Sequence, residues 1–311
     1  MSNRRPRLQR AALFAAVLAT VPYLVLKLLW LTGSTIGTTD RHGEDELSST
    51  RFVAGNSITV LLMVVAAVFV VVLSRSWANR VPARLVFVLA AGATGLLGPI
   101  LVGLPIGLAV QVVAGGEVKP AEDSGMAPWV FAVVYCGFGL LGVAMAVLVI
   151  AHVLDRWGPL ISQPPRRPSW PFTLAGAVGL LSFGAAMSFW ALAGPGNSGP
   201  QGMNAPAQRT VLLVTGMLSI AAFVVPMLSA VAVGWPRLAW LTTWTGCCIA
   251  IFQGPTEVLL AHGGKAEPAV AVIAALSTPG ACVYGLGILK QRLSRNRDGS
   301  RSVQAAQNAS R

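Results

Sequence analysis

Continuous apolar stretches, eight in number, succeed one another along the chain with short polar connections between them. They lie near 11–34, 52–74, 85–113, 128–153, 171–194, 210–233, 239–262 and 269–289. About 20 apolar residues in a helix cover the roughly 30 Å of hydrocarbon in a bilayer. Only helices and closed barrels satisfy every backbone group in lipid. Barrel strands alternate apolar and polar positions over about ten residues, and these stretches do not alternate. The pattern therefore predicts an all-α integral membrane protein with about eight transmembrane helices.

The polar connections predict an orientation. With the N-terminus in the cytoplasm, inner segments hold 17 of the 23 basic residues, among them Arg4, Arg5, Arg7, Arg10, Arg156, Arg166 and Arg167. The outer connections hold five: Arg41, Arg51, Lys119, Arg209 and Lys265. Lys27 lies within the first stretch. This bias places both termini in the cytoplasm and the chain in the inner (plasma) membrane. Asp40, Glu44, Asp45, Glu46, Glu117, Glu122, Asp123 and Glu267 fall outside. Trp77, Trp157, Trp170 and Trp235 mark inner edges, and Trp30, Trp129 and Trp190 outer ones. The basic start resembles a signal peptide. The apolar stretch after it runs past 20 residues without an Ala-x-Ala site, so it is expected to stay as the first helix.

Composition narrows the function classes. Hydrophobic residues make up 54% of the chain and charged ones 11%, against about a quarter charged in soluble domains. The net charge of +12 sits in loops and tails, which argues against a nucleic-acid surface. Cys136, Cys247, Cys248 and Cys282 lie in apolar stretches without zinc or disulfide spacing. No cofactor or metal is expected. The chain divides into a basic N-terminus (1–10), a first four-helix unit (11–160), a second (161–290) and a basic, disordered tail (291–311).

The two units resemble each other in register. Trp30 and Gly33 match Trp190 and Gly194; Arg51 matches Arg209. Pro82, Arg84 and Leu85 match Pro236, Arg237 and Leu238, and Gly98–Pro99 matches Gly254–Pro255. Tyr135 with Gly137 and Gly139 resembles Tyr284 with Gly285 and Gly287. Two four-helix repeats entering from one side would be parallel, related by an axis along the membrane normal. Shared membrane vocabulary is the alternative source of such matches. The segment Leu26-Lys27-Leu28-Leu29-Trp30-Leu31-Thr32-Gly33 resembles a motif of uncharacterised multipass membrane proteins from actinobacteria, and Met187 to Gly194 is similar to a second, weaker copy. That family carries no assigned activity, so the resemblance implies a multipass fold and no site.

Two ionisable residues fall inside predicted helices. Lys27 lies 16 residues beyond Ala11 and Glu257 17 beyond Trp240, about 24–25 Å along helices rising 1.5 Å per residue. Both sit in the outer half of the membrane, where an unpaired charge is costly. A Lys27–Glu257 pair between the first and seventh helices is expected; the alternative for Lys27 is snorkelling beside Trp30. Their repeat-equivalent positions, Met187 and Leu101, are uncharged. Gln253 and Thr256 accompany Glu257 on its helix. Gly254–Pro255 interrupts that helix's hydrogen-bond ladder, as Gly98–Pro99 does in the third. Freed carbonyls beside a carboxylate can bind a cation or polar solute.

Other candidates favour plainer roles. His152 and Asp155 form an ordinary polar helix end in preference to a metal or proton site, and His42 and His262 have no paired ligand spacing. The Gly103–Gly107 spacing and the Gly92, Gly95, Gly98 stripe suit close helix packing. Hydrolase, zinc-protease and phosphate-loop motifs are absent, so no enzyme is expected. Two functional classes follow. One is a transporter or permease for an unspecified small solute, with a polar site in the outer half of the membrane. The other is a non-catalytic accessory, assembly or sensory component acting through helix contacts.

Overall fold

The structure, a computed structural model, describes residues 4–40, 44, 47, 49–75, 77–113, 125–259, 261 and 265–309. Arg41, His42, Asp45, Glu46, Glu117, Lys119, Glu122, Asp123 and His262 lie outside them. The chain is 83% helical; among the described residues the only β pairing is one isolated bridge, Thr38 to Met126. Among the described residues eight long helices follow one another: α1 (Arg4–Leu31), α2 (Thr50–Leu73), α3 (Ala83–Val113), α4 (Pro128–Ile161), α5 (Trp170–Ala193), α6 (Pro206–Val224), α7 (Pro236–Leu259) and α8 (Pro268–Ala309). The protein is an all-α multipass membrane protein. All of these helices except α7 are long and apolar enough to cross a bilayer.

Local chemistry sets the helix ends. Pro128, Pro206, Pro236 and Pro268 each open a helix, where proline's fixed φ fits and its missing N–H costs nothing. The Ser49 hydroxyl accepts the Phe52 N–H at 3.2 Å, capping α2. Gly33 (φ +89°) and Gly194 (φ +91°) follow the last turns of α1 and α5, in a region that favours glycine.

Three boundaries differ from the sequence reading. The sixth helix ends at Val224, because Pro226 turns the chain through a 3₁₀ segment, Val225–Met227, before a short helix, Ser229–Gly234. The fourth runs on to Ile161 through a non-helical Trp157 (φ −128°, ψ 17°). The tail expected to be disordered instead continues α8 to Ala309. It holds no proline after Pro279, and its Gln, Arg and Ala residues are good helix formers.

The core divides at the boundary between the two units. One buried cluster draws only on α1–α4, with Tyr23, Phe69, Leu141 and Leu148 among its members; the other draws only on α5–α8, with Phe183, Met187, Ile249 and Tyr284. Within each unit the first helix packs on the second and fourth, and the third packs on the fourth. The units join through α3, which lies along α6 and α7. A two-fold relation would bring α7 against α2 in the way α3 meets α6, and no comparable α2–α7 interface forms among the described residues. The join is therefore one-sided.

Glycines set its closeness. Gly103 and Gly107 of α3 rest on Val211 and Ala207 of α6; a Cβ on Gly103 would stand 2.9 Å from the Val211 Cα. Gly92, Gly95 and Gly98 face α7 at Phe252, Cys248 and Ile249. Both small-residue stripes thus serve contacts within the bundle.

The position of α7 explains its weaker hydropathy. Four consecutive residues, Cys247, Cys248, Ile249 and Ala250, are each at most 5% exposed. Four successive residues point around the whole circumference of a helix, so protein covers every side of α7 there. Its neighbours are α3, α6 and α8. A helix of 24 residues is about 36 Å long. Enclosed lengthwise by three apolar helices, it shares their passage through the bilayer without meeting lipid at its centre, and so tolerates Thr, Gln and Glu.

Candidate functional site

The end of the bundle at Gly33, Gly194 and Leu259 is called the outer end here, after its predicted side. Lys27 lies one turn before the close of α1. Its Nζ donates to Asn56 Oδ1 of α2 at 2.6 Å. Three aromatic rings surround the same nitrogen, with centroids at 4.8 Å (Trp30), 5.2 Å (Tyr23) and 5.5 Å (Phe52). Ring faces and an amide oxygen both favour an ammonium ion. Trp30 is itself fixed, since its Nε1 donates to the Ile36 carbonyl at 2.8 Å.

The expected Lys27–Glu257 pair is not made. The face of α1 that carries Lys27 turns to α2, while α7 is enclosed by α3, α6 and α8. Equal depth did not bring the two charges together, because the helices bearing them are not neighbours.

Around Glu257 the polar groups form a series across three helices. Pro99 has no N–H to donate to the carbonyl four residues earlier, Gly95. That carbonyl accepts Gln253 Nε2 of α7 at 2.8 Å. Pro255 frees the Ile251 carbonyl in the same way, and it accepts the Thr278 hydroxyl of α8 at 3.1 Å. Each donor stands one or two residues before a proline of its own helix. The Gly95 and Ile251 carbonyls are thus satisfied by neighbouring helices. Thr256 turns its hydroxyl back to the Phe252 carbonyl at 2.7 Å. Nearer the inner end, Trp244 Nε1 donates to Thr94 Oγ1 at 3.1 Å, and that hydroxyl donates to the Ala90 carbonyl at 2.7 Å.

Glu257 differs from all of these. It is half-buried, and no hydrogen bond or ion pair from a described residue reaches its carboxylate. Gln253, Thr256 and Glu257 lie on one turn of α7, the first two committed and the third without a partner among the described residues.

The remaining candidates are structural. His152 is 6% exposed and meets Trp157 edge-on at 5.9 Å, with no hydrogen-bond partner at Nε2. Arg156 Nη1 donates to the Val81 carbonyl at 2.7 Å, tying α4 to the connection before α3. Among the described residues no three His, Cys, Asp or Glu side chains could hold a metal together. The matched residues of the two units find partly similar surroundings. Trp30 and Trp190 are both buried and donate to the loop beyond their helix, Trp190 Nε1 to Ser198 Oγ at 3.4 Å. Arg209 Nε donates to the Ala191 carbonyl at 2.7 Å; the Arg51 side chain lies outside the described residues. Tyr135 is exposed on the bundle surface, whereas Tyr284 is fully buried and its hydroxyl donates to the Phe223 carbonyl at 3.0 Å.

Sequence reasoning missed Asn56 and Thr278. Asn56 is the one amide in the second apolar stretch, and Thr278 immediately precedes Pro279; both signals were present. Comparison with known proteins finds no matching family, no matching curated protein and no matching solved structure.

Proposed function

We propose that the chain is a plasma-membrane transporter or permease, with both termini cytoplasmic and a polar site in the outer half of the membrane centred on Glu257. One observation carries this: among the described residues the Glu257 carboxylate inside the helical bundle has no partner, while the Gln253 amide, the Thr256 hydroxyl and the Gly95 and Ile251 carbonyls are paired. An intramembrane ionisable residue is costly unless it is satisfied or used. The enclosed position of α7 and the cross-helix bonds hold this turn in place. The likeness of the two units supports a duplicated design with the site in the second unit alone. No enzymatic role is proposed.

The capped carbonyls favour a second reading, an accessory or sensory component acting through helix contacts, because they leave few groups to coordinate a solute. Glu257→Gln separates the two. In a strain lacking the chain, growth on a panel of solutes is compared after return of wild type or variant, with equal membrane levels and melting temperatures. Restoration by wild type but not by Glu257→Gln supports transport. Equal behaviour of the two on every solute supports the accessory role.

A further inference from the structure

The surroundings of Glu257 also narrow what it binds. A hard divalent cation needs about six to eight oxygen ligands. The carbonyls that Pro99 and Pro255 release are already taken, Gly95 by Gln253 and Ile251 by Thr278. Glu257 is the only carboxylate well inside the apolar stretches. A proton needs no ligand but the carboxylate itself.

Among the described residues no neighbouring cation neutralises the group. Lys27 is bound to Asn56 on α2, away from α7. The helices packed on α7 carry few ionisable side chains. On α3 there is only Arg84, at its inner start; on α6 only Arg209, whose guanidinium donates to the Ala191 and Leu192 carbonyls. On α8 they are Cys282 and Tyr284 within the membrane part, then Lys290 and further residues toward the tail, with Glu267 just before its first turn. On α7 itself they are Arg237, Cys247 and Cys248, all toward the inner side. The edge contacts add none on α5 and, on α4, Tyr135, Cys136 and the inner His152, Asp155 and Arg156. Lys265, in the outer connection, is exposed.

We propose that Glu257 is a proton-binding carboxylate and that the proton is the ion the site takes. On uptake an O–H bond forms at a Glu257 carboxylate oxygen from hydronium, releasing water; on release the same bond breaks and the proton returns to water. This rests on the permease reading only for the use to which the proton is put.

Dicyclohexylcarbodiimide, an apolar reagent that adds to protonated carboxyl groups, tests it on the full chain in lipid nanodiscs, alongside a water-soluble carbodiimide, with adducts mapped by mass spectrometry. The expected result is an adduct on Glu257 that declines as the buffer is made alkaline, persists in Glu257→Asp and is absent in Glu257→Gln. Glu267, in the outer connection, reports the background reaction of a carboxylate in water. A Glu257 that stays unlabelled by both reagents, or is labelled equally at every pH, overturns the proposal. Proteoliposomes holding a pH-sensitive dye keep the two readings apart. Labelling that follows pH without any proton movement sinks the permease reading alone. Glu257-dependent solute uptake without labelling sinks the proton alone.

Discussion

The two units treat an intramembrane charge in opposite ways. In the first, Lys27 has an amide oxygen at 2.6 Å and three aromatic faces around its ammonium. The position that the sequence register of the two halves sets against it is Met187, buried in an apolar core, and the same register, taken from Arg51 and Arg209, sets Val214 against Asn56. The second unit's own charge, Glu257, has no partner at all among the described residues. A charge that its neighbours satisfy belongs to the architecture. One left unsatisfied amid paired groups is where function is to be sought.

The largest effect should come from breaking the satisfied charge. Asn56→Leu leaves Lys27 with its aromatic rings but without an acceptor, and the variant should lose about 1–3 kcal/mol, the penalty for a buried donor deprived of its hydrogen-bond partner, in unfolding measured in lipid bicelles. Adding Lys27→Met should restore most of that loss, since replacing both partners by apolar groups is nearly neutral. A double variant no more stable than Asn56→Leu would show that Asn56 is not the partner that matters.

Packing at α7 comes next. A Cβ on Gly246 meets the Leu218 carbonyl and, at 2.6 Å, the Ala222 Cβ, whereas Gly139 has nothing within 4 Å. Gly246→Val should therefore lose about 1–3 kcal/mol through overpacking, and Gly139→Val should stay within about 0.5 kcal/mol. Similar losses at the two positions would mean that α7 is not enclosed as described. The cross-helix bonds are weaker. Gln253→Leu and Thr278→Val should each cost about 0.6 kcal/mol and at most about 1.7, the range for such bonds between membrane helices. A larger loss would make these bonds a principal support of the α3–α7–α8 assembly. The smallest effect on stability is expected at Glu257→Gln, which removes a charge that no described residue answers.

Much of this contrast was written in the chain and some was not. The apolar stretches located all eight helices, and proline marked where carbonyls are freed. The polar content of the seventh stretch was visible too, but its meaning depended on enclosure by α3, α6 and α8, which hydropathy does not report. Depth along a helix follows from residue counting; the direction a side chain faces, and which helix it meets, does not. That is why Lys27 and Glu257 looked like a pair and are not. The polarity of the tail suggests disorder, yet it lacks any strong helix breaker except Gly299 and continues α8 to Ala309.

Unfolding free energies of Asn56→Leu and Glu257→Gln, determined side by side in the same lipid, test most directly the claim that one intramembrane charge is structural and the other is not. A loss of about 1–3 kcal/mol is expected for the first and no measurable loss for the second. A Glu257→Gln chain destabilised as much as Asn56→Leu would contradict it, because Glu257 would then be held by the bundle as firmly as Lys27.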